Sequence, residues 1–214
     1  MERQLRPLIV RYGNLANPDG SALLCQGNTV VQACVFGPTE VTGNREKIDR
    51  AALFVIFKPK NLCNRMSSKQ EFYESFLLKA LESVICLDMH PRTSITVVIQ
   101  EIQDDGCILS SALNASCAAL LDAGIPMRSL ITGIMFEITE QGDIFLDPDL
   151  EKSSEFQFKL IMALEGVNHN TVSLINEGNL TVDQIKKCLK IGRIASKEIL
   201  SFYEESMKKR FLSS

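Results

Sequence analysis

The hydrophobic period of this chain changes several times along its length, and the order of those changes limits the folds it can adopt. Over the first 60 residues the apolar runs are short, of strand type, and closed by Gly, Asn, Asp or Pro. They read "LRPLIVRYG", "GSALLCQG", "NTVVQACVFG" and, after the polar stretch "GPTEVTGNREKIDR", "AALFVIFKPKN". "NPDG" and "QGN" supply hairpin turns, so the first strands form an antiparallel meander. From Ser67 the period becomes helical. Phe72, Phe76, Leu77, Ala80, Leu81, Val84 and Ile85 share one stripe, with Ser67 or Ser68 as N-cap. "TSITVVIQEI" (93–102) is β-branched and predicts a buried strand. "SSALNASCAALLDAG" predicts a helix whose small residues let it lie close to a sheet, ending at Gly124. "SLITGIMFEI" and "GDIFLD" pair around "TEQGD", "EFQFKLIMAL" alternates as a half-buried strand, and "NTVSLINEGN" adds another. A long last helix begins at the cap Thr181.

The resulting order is β-β-β-β-α-β-α-β-β-β-β-α. Strands and helices do not alternate strictly, and neither GxGxxG nor GxxxxGK[ST] is present, so a doubly wound nucleotide-binding fold is disfavoured. The expectation is an α/β domain with a mixed sheet, one domain over residues 1–214. No apolar run approaches the roughly 20 residues of a membrane helix, and the charged start "MERQLRP" does not read as a signal peptide, so no membrane contact is expected. The net charge of −3 gives no global attraction to nucleic acid; a local basic patch would have to supply it. The seven cysteines form no CxxC, and His90 and His169 have no paired ligands nearby, so free thiols and no metal or other cofactor are expected. The N-glycosylation patterns at Asn114 and Asn179 carry little weight in an intracellular protein.

The segment "QDDGCILSSALN" (103–114) joins a predicted strand to a predicted helix through a glycine turn. Unpaired N–H groups at such a turn suit an anion. The residues after the glycine are nevertheless Cys107, Ile108 and Leu109, with no Lys or Arg.

Three blocks carry a resemblance to a known family: "QLRPLIVRYGNLANPDGSALLCQGNTVVQACVFGP" (4–38), "HPRTSITVVIQEIQDDGCILSSALNASCAALLDAGIPM" (90–127) and the last helix ending "FYEESMKKRF". They resemble RNase PH-like proteins, and among these the eukaryotic exosome ring subunits of the component five type. The resemblance implies an RNase PH-like fold of two related βαβα-like halves, with a long C-terminal helix. It implies side-by-side pairing with other RNase PH-like exosome subunits into a ring around an RNA channel. Active rings degrade RNA from the 3′ end by phosphorolysis, whereas most eukaryotic ring subunits serve as scaffold and RNA conduit. The implied location is the nucleus, including the nucleolus, and the cytoplasm.

Active members hold phosphate with a Gly-Thr-Arg at the turn; the matching residues here are Gly106, Cys107 and Ile108. The hydroxyl and guanidinium are gone, and Cys107 and Ile108 read as packing residues. Active members also carry a spaced pair of aspartates after a "DLDY"-like start. Counted without gaps from Asp147, the matching positions hold Ser153 and Lys159, neither a carboxylate. A register shifted at Pro148 pairs Asp149 with Glu155, which leaves these two as weak catalytic candidates or as solvated loop acids. The family's phosphate-contacting arginine falls near Ser68 to Gln70, making Lys69 and Gln70 candidate phosphate or nucleic-acid contacts, backed by Arg65 and the helix N-terminus. Arg45, Lys47, Arg50, Lys58 and Lys60 read either as a channel-facing backbone track or as a solvated basic face.

The leading expectation is therefore a non-catalytic ring subunit that contacts RNA and has lost phosphorolysis. The alternative is a free homodimer that binds RNA or DNA and performs or assists nucleic-acid degradation, for example with a partner DNA nuclease. The strand "AALFVIFKPKN" is expected at a sheet edge near the pairing surface.

Overall fold

The computed structural model describes residues 5–41, 46–60, 68–150 and 158–213. Its elements are β1 (Leu8–Tyr12), β2 (Gly20–Gln26), β3 (Thr29–Glu40), β4 (Ala52–Lys58), α1 (Ser68–Val84), a 3-10 turn (Leu87–Met89), β5 (Thr93–Gln103), α2 (Ile108–Asp122), β6 (Ile131–Ile138), β7 (Ile144–Leu146), β8 (Phe158–Glu165), β9 (Thr171–Glu177) and α3 (Val182–Ser213). This is the expected order. The local reasons hold too: Gln26 pairs with Thr29 across the "QGN" turn, and Thr181 caps α3 reciprocally with Gln184, N–H to Oε1 2.8 Å and back to Oγ1 3.4 Å.

The strands form a five-stranded mixed sheet, β1-β2-β3-β5-β4, and a four-stranded antiparallel sheet, β7-β6-β8-β9. β4 runs parallel to β5 with α1 as the crossover, and it lies at the sheet edge. Helix α2 packs on β2 and β3 of the first sheet and on β6 and β8 of the second. Burial on all sides explains why its sequence is Ala, Ser, Cys and Leu with no charge until Asp122. The approach to β6 is close: a Cβ on Gly133 would stand 2.6 Å from the Ser110 carbonyl oxygen. Asn114 fixes that contact by accepting the Gly133 N–H (2.7 Å) and donating to the Gly133 carbonyl (3.0 Å). Its side chain is consumed in the core, so the glycosylation pattern there is inert in the folded chain. One apolar core runs continuously through both sheets and reaches Ile199 and Tyr203 of α3.

The α/β class, the mixed sheet and the long terminal helix agree with the sequence reading. One packing expectation does not. Phe76, Leu77, Ala80, Leu81 and Val84 of the α1 stripe are buried, but Phe72 is 48% exposed. Tyr73, the next residue, takes the place against the sheet instead, its ring edge-on to Phe57 of β4 at 5.5 Å.

A candidate nucleic-acid interface at the β5–α2 turn

Gly106 (φ +85°) and Cys107 (φ +54°) are consecutive left-handed residues between β5 and α2. The glycine is required twice over, because a Cβ there would also stand 2.8 Å from the Pro148 carbonyl oxygen. The turn is held by its neighbours. Thr29 Oγ1 donates to the Gly106 carbonyl (2.8 Å), and the Asp105 N–H donates to the same hydroxyl (3.2 Å). Cys107 offers no side-chain cap to α2; its thiol instead donates to the Pro148 carbonyl (3.4 Å). Burial, with Asp147 adding to it, pushes that thiol well above its ordinary range. Cys107 and Ile108 are 2% and 7% exposed, so both side chains belong to the core.

The loop after β7 closes over this turn. Asp147 (φ +51°) is 3% exposed, and its carboxylate accepts the Arg6 backbone N–H (3.1 Å) and Nη2 (2.9 Å). Arg6 also donates from Nη1 to the Asp105 carbonyl (3.0 Å) and lies 3.5 Å from the Asp105 carboxylate. Arg6 thus ties the segment leading into β1 to both halves of the site. Asp149 is half-buried in the same loop, with its backbone beside Gly106. Its suggested companion Glu155, and Ser153, lie outside the described residues. Lys159 sits opposite Glu137 across β8 and β6 and pairs with its buried carboxylate at 3.0 Å. A cation therefore stands at that second matching position.

Helix α1 delivers Lys69 to the same end of the sheet. Its Nζ is 5.5 Å from the centroid of the Tyr73 ring. Tyr73 chiefly raises the lysine's pKa, burial opposes it, and Asp104 and Glu177 add to the rise, so Lys69 keeps its charge. Burial pushes the Asp104 carboxyl up; the Glu101 carboxyl rises for the same reason and feels Lys60. Lys58 ends β4 here, where its carbonyl accepts from Gln100 (3.2 Å). Gln70 is turned along the helix, donating to Glu74 Oε1 (3.2 Å), which also accepts the Phe57 N–H (2.9 Å).

The candidate contacts separate into two groups. Lys58, Lys60, Lys69 and Gln70 lie toward the C-terminal end of β5, around Asp104. The Lys47 carbonyl accepts the Arg92 N–H (3.1 Å) just before β5 begins, and Arg50 pairs with Asp49 and with Glu82 near the far end of α1. The 11 residues of β5 separate these places by roughly 30 Å. Lys47 and Arg50 do not join Lys69 in one track. Arg45 and Arg65 lie outside the described residues. Sequence reasoning missed Arg6 and Asp147 as partners; their pairing spans 141 positions and has no local signature. Among the described residues no group of His, Cys, Asp and Glu is arranged to hold a metal ion.

Residues 4–126 match the RNase PH, 3′ exoribonuclease family, domain 1. The chain belongs to this family. It is 34% identical over 222 residues to the exosome complex exonuclease RRP46 homolog of Arabidopsis thaliana, covering 96% of this chain and 92% of that protein. Identity to the RRP46 homolog of Oryza sativa subsp. japonica is 30%, over 97% of this chain and 93% of the relative. The exosome complex component Rrp41 of Pyrococcus horikoshii is also 30% identical, over 98% and 86%. The crystal structure of rice Rrp46 superposes with a TM-score of 0.90 at 29% identity, over 96% of each chain. An Archaeoglobus fulgidus exosome chain shares the fold at a TM-score of 0.83 and 17% identity, over 94% of this chain and 89% of that one. The subunit type is corrected by these relatives, which are RRP46 homologues and Rrp41 components, from component five to the RRP46 type.

Proposed function

We propose that this chain is an RNase PH-like exosome subunit of the RRP46 type, acting in 3′-end RNA processing and degradation without carrying out phosphorolysis itself. Membership rests on the identity over nearly the whole length of chain and relative. The absence of phosphorolysis rests on one observation. The two residues following Gly106 point into the core, where active members of the family would present a hydroxyl and a guanidinium to phosphate. A hydrogen bond to a charged group is worth about 1.5–3 kcal/mol, so the missing anchor weakens phosphate capture by roughly tenfold to a thousandfold. The carboxylates nearest the turn, Asp104, Asp105 and Asp147, further disfavour an incoming anion.

The test is incubation of the purified chain with single-stranded RNA and inorganic phosphate. No nucleoside diphosphate should be released. Release that is abolished by Asp149→Asn would overturn the reading. Membership is tested separately by native pulldown, which should recover other RNase PH-like subunits in ring stoichiometry; recovery of this chain alone would count against it.

A further inference from the structure

The exposed ring of Phe72 is unexplained by the fold. It stands on the first turns of α1, beside Tyr73, with ring centroids 6.4 Å apart and planes tilted by 48°. Tyr73 is itself fixed by an edge contact to Phe57 (5.5 Å, 88°) and by the Lys69 ammonium over its ring. Phe72 is therefore braced on one side by a rigid aromatic pair and open to solvent over nearly half its surface. A lysine, a half-buried tyrosine and an open phenyl ring thus occupy a little more than one helical turn.

We propose that Phe72 is a base-stacking position for single-stranded RNA, with Lys69 taking the adjacent backbone phosphate. This rests on the reading of the chain as an RNA-contacting exosome subunit, and deepens it by naming how the strand is held. Every base has an apolar π-face, so a braced aromatic beside a cation binds single strands without reading their sequence. Charge alone would be a poor grip here, because Asp104 and Glu177 already lie in the field of Lys69. Stacking on Phe72 supplies the part of the affinity that those acids cannot cancel. A paired duplex keeps its bases stacked internally and would not use the ring.

The experiment is fluorescence anisotropy on the full chain with two probes of equal length: a short oligoadenylate, and the matching abasic sugar-phosphate oligomer. Phe72→Ala should weaken oligoadenylate binding by about 5- to 150-fold. It should leave abasic binding and the salt dependence unchanged. Phe72→Tyr should retain wild-type affinity. Lys69→Ala should weaken both probes and flatten the salt dependence. Oligoadenylate binding by Phe72→Ala equal to wild type would overturn the stacking role while leaving RNA contact intact. So would an equal loss on both probes, or unchanged RNA binding together with a loss of assembly with other subunits. If the wild-type chain binds neither probe, RNA contact by this chain fails, and the stacking role with it. The ring is exposed, so thermal melting of Phe72→Ala should match wild type and exclude misfolding as the cause.

Discussion

Replacing Arg6 by alanine tests the tie that closes the site. The Arg6 side chain is 15% exposed and the Asp147 carboxylate 1%. Removing the guanidinium takes away the 2.9 Å bond to Asp147 and the 3.0 Å bond to the Asp105 carbonyl. Asp147 is left with the backbone N–H of residue 6 at 3.1 Å and no cation. Breaking a buried pair from one side costs about 3–5 kcal/mol because the remaining charge is uncompensated. The surviving backbone bond places the expected loss near about 3 kcal/mol. For a chain of this size that is a fall in melting temperature of about 6–12 °C. Asp147→Asn removes the charge but keeps the shape, so Arg6→Ala/Asp147→Asn should be less destabilised than the sum of the single changes, by about 0.5–3 kcal/mol. Urea unfolding followed by far-UV circular dichroism measures all three variants. Arg50→Ala is the control, because its pairs are solvent-exposed and of little weight. A loss below about 1 kcal/mol for Arg6→Ala, or strict additivity in the cycle, would refute the reasoning.

Three further outcomes are expected. Burial raises the Asp104 carboxyl, so its ionisation opposes folding at neutral pH and the cost disappears as the pH falls below its unfolded value of about 3.9. Asp104→Asn should therefore have a higher urea midpoint than wild type at pH 7, with the gap shrinking toward pH 4; a gap that widens would contradict the sign. Burial pushes the Cys117 thiol up to about 12 and Cys107 well above its ordinary range. In native protein at pH 8 the half-buried Cys25 and Cys86 should alkylate before either of them, as read by mass spectrometry. Arg210 pairs with the buried Asp122 at 2.5 Å and lies over the Tyr12 ring, pinning the end of α3 to β1. Arg210→Ala should cost about 1–3 kcal/mol and speed tryptic cleavage at Lys208 and Lys209; unchanged cleavage would show that this end of the helix is held by other contacts.

The order of strands and helices was legible in the sequence because apolar period, caps and glycine turns act within a few residues of one another. The change of period at Ser67, the cap at Thr181 and the turn at Gly106 are of this kind. The sequence also showed that Cys107 and Ile108, which follow the turn glycine, carry neither a hydroxyl nor a guanidinium, and the reading of both as packing residues agrees with their burial. What the sequence left open depends on distance in space. Arg6 meets Asp147 only because β1 and the loop after β7 fold onto one turn. Lys47 and Lys58 read as parts of one basic track or face, yet the length of β5 holds them apart. Phe72 belongs to the apolar stripe by period, yet its ring is half exposed while Tyr73 beside it packs on Phe57 of β4. Local chemistry determined which elements form. Only their packing decided which charges meet, which are separated, and which aromatic ring remains open.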